Sequence, residues 1–296
     1  MLHWSPDGKT SLGDDPDPDR QVRMFQQRAN ETRLQSAVSM VELIFHSSAH
    51  TIRKGHRNAV MSIVTNMVRV ILLIVIFYLL YTVLGLRRAA IRGDFVLFMM
   101  SGVFIYMTHV RTVSAVMGSE GPASPMMKHA PMNTIVSIAA AAISTLYIQV
   151  LTMALILFVY YVAISHFSIQ DPAGAFGCIL VAWLYGIAVG TVFLALKPWA
   201  PEITGILSTV YQRANMIASG KMFVANQINP KMRNLFDWNP LYHSIDQARG
   251  DIFINYNPHF SSLSYALYVA LALFCIGMIG EFYTSRRASI SWDARR

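Results

Sequence analysis

Along this chain, stretches of about twenty residues pass with scarcely a charge, and no other feature restricts its folding so strongly. A helix rises about 1.5 Å per residue, so such a run matches a hydrocarbon layer about 30 Å thick. The clear runs fall at about residues 59–84, 95–117, 134–164, 176–196 and 263–283. A weaker one at about 203–218 is diluted by Thr204, Gln212, Arg213 and Asn215, as expected of a helix that faces protein or a wet cavity. The expected fold is therefore an all-α integral membrane protein with six transmembrane helices. Composition agrees, since 54% of the 296 residues are hydrophobic, 14% are charged and the mean hydropathy is +0.41.

The polar flanks complete this layout. Residues 1 to about 35 contain DDPDPD and lack the basic-then-apolar opening of a secretory signal, so they read as a disordered cytosolic tail. From Leu34 to Arg57, Val41, Leu43, Ile44 and Phe45 precede Arg53, Lys54 and Arg57, which suits an N-terminal interfacial helix; an ordinary helix end is the plainer alternative. The transmembrane domain spans 36–290, and 291–296 form a cytosolic tail. His109 and Arg111, late in the second run, suggest that this end approaches water, while SIQDPAG breaks the chain before the fourth. Residues 219 to about 260 hold short apolar pieces, MFVANQI and PLYHSI, expected as re-entrant or interfacial helices between spans five and six, buried by protein.

Six crossings place both termini on one side, and the cations decide which. Arg53, Lys54, Arg57, Lys128, Lys197, Arg286, Arg287, Arg295 and Arg296 would then be cytosolic, against the smaller cluster Arg87, Arg88 and Arg92. The net charge of +8 and pI near 9.6 raise the question of nucleic acid, but the cations lie in short clusters beside apolar runs, which makes anionic membrane lipids the simpler partner. Cys178 and Cys275 both fall within spans and read as small apolar residues, not as a disulfide. No internal repeat stands out, which counts against inverted-repeat transporters. Gly8-Lys9-Thr10 lacks the glycine that a phosphate loop needs where His3 stands. The sequence contains no recognisable metal cluster, nucleophile triad or paired catalytic carboxylates, and intramembrane acids are almost absent.

The order of pieces from Lys197 onward is more specific: KPWAPEITGIL, then SGKMFVANQINPKMRNLFDWNPLYHSIDQARGDIF, then one last span and a basic tail. It resembles the C-terminal half of polysaccharide-export permeases of the type-2 ABC exporter family, and the capsular polysaccharide branch is the nearest in layout. In that family Pro-Glu precedes the fifth span, here Pro201 and Glu202, and Trp-Asn-Pro-Leu, His and Arg precede the sixth, here with Asn239, Pro240, His243 and Arg249. MKHAPMNTIVS is similar to the same branch's cytosolic connection into the third span. The resemblance implies an inner-membrane homodimer that pairs with two copies of a separate ABC ATPase. Such a permease binds no cofactor of its own, leaves ATP hydrolysis to that partner, and moves a lipid-linked capsular or other surface polysaccharide outward. O-antigen, teichoic acid or another lipid-linked glycan fits the same architecture; a membrane enzyme of glycan or lipid metabolism, a channel and a scaffold are the competing classes.

Within this frame the residues divide by role. A polar polymer needs a protein-lined path, because desolvated polar groups cost several kcal/mol each. Arg213 would cost roughly 2.5 kcal/mol or more facing lipid. It therefore suits either the path, where it would attract acidic sugars or lipid phosphate, or a structural ion pair. Arg69 poses the same choice, with snorkelling as a further option. Tyr211, Phe223, Trp238 and Tyr242 offer flat faces to sugar rings or, more commonly, interfacial anchors. In WNPLYH, Asn239 can cap and Pro240 can start a short helix that braces the segment. By resemblance, Arg53 and the loop carrying Lys128 and His129 couple to the ATPase. Gly186 and Gly190, one turn apart, allow a neighbouring helix to approach closely.

Overall fold

The computed structural model describes residues 40, 42–44, 47–48, 59–85, 93–119 and 134–293. The chain divides into two units, Met1–Leu43 and Ile44–Arg296. Of the first, residues 40, 42 and 43 are described, and all three are helical. The second is built of helices: α1 (Ala59–Val83), α2 (Phe95–Met117), α3 (Thr134–Ala163), α4 (Pro172–Leu196), α5 (Pro201–Ala218), a 3-10 turn (Ala225–Gln227), α6 (Pro230–Arg233), α7 (Pro240–Ile252) and α8 (Leu263–Asp293). No strand occurs among the described residues.

Five helices, α1 to α4 and α8 as far as Arg286, are long and apolar enough to cross a membrane, which is the make-up of a multi-pass membrane protein. At 18 residues α5 is helical over its whole expected run, but it is too polar to join that group. Polar caps, more than hydropathy, decide where several helices begin. Asp171 accepts from the amides of Ala173 and Gly174, and Pro172 follows at the first helical position. The helix α4 therefore starts four residues before the apolar run expected from about 176. Asp94 caps α2 through the amides of Val96 and Leu97, and Asn239-Pro240 starts α7 in the manner read from the sequence. At the other end of the chain α8 continues to Asp293, well past 283. Hydropathy fades there, but no glycine or proline interrupts the helix.

The core sits around α4, which packs against α2 on one side and α8 on the other. A Cβ on Gly186 would lie 2.9 Å from the carbonyl oxygen of His109, and one on Gly190 would lie 2.7 Å from Val116 Cβ. These glycines let α2 and α4 meet within the subunit. Lys197 Nζ donates to Met117 O at 3.4 Å and Trp199 Nε1 to Thr284 Oγ1 at 3.0 Å, so the ends of α2 and α4 gather beside Thr284 of α8 at one end of the bundle. At the opposite end Tyr160 donates to Asp94 at 2.5 Å, and the Asp171 amide donates to Asp251 O at 2.7 Å. Cys178 is buried as expected, whereas Cys275 is exposed.

Candidate functional site

The helix α5 has its polarity inside out. At helical spacing Thr204, Ser208 and Asn215 share one face and are buried, while Ile203, Ile206, Leu207, Val210 and Ile217 are exposed. Each inward polar group finds a partner. Gln212 Nε2 donates to Ser208 Oγ at 3.0 Å, Asn215 Nδ2 to Tyr211 O at 3.1 Å, and Asn239 Nδ2 to Asn215 Oδ1 at 2.9 Å. From α2, Tyr106 and Ser114 donate to the backbone carbonyl and side-chain oxygen of Gln212.

His109 is the hub of this interior, so its own ring does not face water. It is fully buried and stacks on Tyr185 at 4.6 Å between centroids. Its Nδ1 lies 3.3 Å from Ala182 O, an atom that can only accept, so the ring proton sits on Nδ1. Nε2 then accepts from Tyr211 Oη at 2.9 Å, and Tyr211 in turn shares a 3.1 Å contact with Tyr185 Oη. Tyr211 is thus drawn into the packed interior. Arg213 is exposed on the outer side of α5 and makes no ion pair with a described residue. Arg69 on α1 is also exposed, beside a polar cavity it shares with Arg111. Arg111 and Arg213 both act electrostatically on the Tyr106 hydroxyl, and Arg69 acts on Arg111.

The segment between α5 and α8 is held by the residues singled out in WNPLYH and its continuation. Asn239 accepts from the Leu241 amide and donates to Ala218 O, fastening the start of α7 to the end of α5. His243 bridges Asp237 O through Nε2 and accepts the Ser262 amide at Nδ1. Arg249 is 0% exposed. Its guanidinium donates to Gly220 O at 3.0 Å, Phe223 O at 2.5 Å and Lys221 O at 2.6 Å, and lies 4.1 Å over the Phe98 ring. Burial lowers its pKa to about 10, against the pull of Asp246, and it stays charged at neutral pH. Gly220 supplies the left-handed φ of +74° that this turn requires, where a Cβ would meet the Tyr242 ring at 2.7 Å.

The aromatic candidates separate. Trp238 is 63% exposed and free to contact an outside partner, with Nε1 donating to Leu235 O. Tyr242 is 1% exposed and Phe223 packs between Phe236 and Tyr242, so the Tyr242 ring offers no open face in this conformation. Pro201 and Glu202 form the exposed first turn of α5, where proline fits and the acid faces the positive end of the helix dipole. Arg53, Lys128 and His129 lie outside the described residues.

Lys221 carried no signal in the sequence. It is 1% exposed, its Nζ has no hydrogen bond, and it sits 3.4 Å over the Tyr106 ring and 5.0 Å from that of Phe77. Burial lowers its pKa from 10.5 to about 7, while the two ring faces favour the charged form and offset part of that cost. Between those values the unfolded chain holds a proton that the folded chain gives up, so stability rises with pH. Raising the pH from about 7 to 9 should stabilise the wild type by about 2 kcal/mol, and Lys221→Met should flatten that slope in a melting series in detergent. No protein-family model matches the chain, and no curated protein sequence matches it.

Proposed function

We propose that this chain is the membrane-spanning subunit of an ATP-driven ABC exporter, which moves a lipid-linked capsular or other surface polysaccharide across a bacterial inner membrane. Two copies would pair with two ATPase subunits, and this chain would not hydrolyse ATP. The observation that carries the reading is α5, a polar-faced helix followed by a segment tied down by Asn239 and Arg249, because these are the residues that resemble the exporter permeases. The 18 residues of α5 rise about 27 Å, enough for a sixth crossing that protein lines on at least one side. Six crossings return both termini to the cytosol, and α7 becomes a re-entrant helix buried among α2, α4 and α8.

The test is ATP-dependent appearance of surface glycan in cells lacking the protein, complemented by wild type or by Arg213→Ala. Loss of surface glycan on deletion is the expected result, and unchanged glycan removes the reading. Arg213→Ala at normal membrane abundance should lower export about tenfold or more if the cation meets the polymer, since it gives up no described ion pair.

A further inference from the structure

A cavity of about 360 Å³ opens among α1, α2 and α3, and its lining is unlike the rest of the membrane-crossing surface. Arg69 and Arg111 both reach it, together with Ser62, Thr65, Asn66 and Ser114. A guanidinium cannot give up its charge inside a protein, so two of them at one cavity call for an anion. Neither makes a hydrogen bond or ion pair with a described residue, and no Asp or Glu lines the cavity. Part of the wall is already committed: Asn66 Nδ2 donates to Gln149 Oε1 and Thr152 Oγ1, both at 2.9 Å, and Gln149 Nε2 donates to Met107 O at 3.2 Å. These bonds hold the three helices together and leave the guanidinium donors unassigned.

The position within the bundle narrows the occupant. Arg69 lies ten residues into α1 and Arg111 six residues before the end of α2, about 15 and 9 Å from those helix ends. Both stand inside the apolar length of their helices, on the half of the bundle where α2 ends. Beside Arg69, the outer face of α1 is exposed and wholly apolar at Val64, Val68, Ile71, Leu72 and Val75. An occupant with an anionic head would have a hydrocarbon-compatible surface along which to lay a chain. We infer that the Arg69–Arg111 cavity binds the phosphate or diphosphate headgroup of a lipid, the head inside and the acyl or prenyl chain against α1. Phosphate oxygens suit the planar fork of arginine, and two forks at one site match a group with two or more charges. The site does not depend on the exporter reading; under that reading it would seat the lipid end of the glycan.

The experiment titrates the purified full-length chain in detergent micelles, by native mass spectrometry, with a long-chain polyprenyl diphosphate, with phosphatidylglycerol and with inorganic pyrophosphate. The expected result is that polyprenyl diphosphate binds wild type about tenfold or more tightly than Arg69→Gln or Arg111→Gln, and that the double variant loses the site. Ligand-free variants should melt at or above the wild-type temperature, because no described partner is lost. Arg111→Lys, which keeps the charge without the fork, should bind at an intermediate level and serves if a glutamine variant fails to fold. Phosphatidylglycerol binding that depends on the arginines also supports a lipid headgroup site. Pyrophosphate binding as tightly as either lipid overturns the lipid assignment. Equal binding to wild type and double variant, or a fall in melting temperature with no change in binding, overturns the site and makes the arginines structural. Binding is read on isolated protein, so an intact site without glycan export, or export without the site, separates this inference from the proposed function.

Discussion

Arg249→Met should leave little folded protein to study. The substitution removes the donors to Gly220 O, Lys221 O and Phe223 O, three backbone carbonyls fixed in a buried turn. Each acceptor left dry costs about 1–3 kcal/mol, and relief from burying the guanidinium returns only part of that. A net loss of about 4 kcal/mol or more is a large share of the 5–15 kcal/mol by which domains are stable. Asp246 would also lose the charge of Arg249 while still accepting from Tyr256 and Ser261. The measurement is the melting temperature and size-exclusion profile in detergent. An unchanged melting temperature would mean that the turn is held by something other than Arg249.

The second large effect is expected at Gly190. A β-carbon there already falls 2.7 Å from Val116 Cβ and 3.1 Å from Val113 O, so a leucine must push α2 away from α4 along their closest line. Overpacking of this kind costs about 1–3 kcal/mol when the surroundings can yield, and both helices are buried on their other faces as well. Gly190→Leu is accordingly expected to lose about 3 kcal/mol, and Gly186→Leu to behave alike. Gly205→Ala on α5 is the control. Nothing lies within 4 Å of its added carbon, and alanine should gain about 0.5–1 kcal/mol of helix preference. If both glycines tolerate leucine equally well, α2 and α4 do not approach as described.

The helices were legible because a long apolar run has few ways to fold, and α2 occupies the range its composition marked out, 95–117. Boundaries set by single side chains were read less well. SIQDPAG does mark a break, but its Asp171-Pro172 already starts α4, because Asp171 caps that helix. Roles that depend on non-local packing could not be read at all. His109 seemed to mark a watery helix end because a lone imidazole in an apolar run has no visible partner; its partners, Ala182 and Tyr211, are 73 and 102 residues away. Arg111 stands opposite Arg69 only once α1 and α2 fold against α3. Tyr242 was read as a flat face for sugar rings or an interfacial anchor, and its burial follows from the Gly220 turn and the packing of Phe223, neither of which leaves a pattern in sequence. The bracing by Asn239 was legible because an Asn-Pro pair before an apolar run carries its own mechanism.

The inverted face of α5 bears on the order in which the protein is made. A nascent segment is sorted into lipid by its average polarity, and this one, with Arg213 in its middle, has little to recommend it to hydrocarbon while it is alone. Some of its inward polar groups bond within the helix, but Gln212 and Asn215 also take partners from outside it, Tyr106, Ser114 and Asn239, the last of which is synthesised after it. Full seating of α5 therefore waits for α7, whose start brings Asn239 to Asn215. Until α7 leaves the ribosome, the chain would carry Asn215 without its Asn239 partner, and cellular quality control would have a criterion for telling an unfinished copy from a finished one.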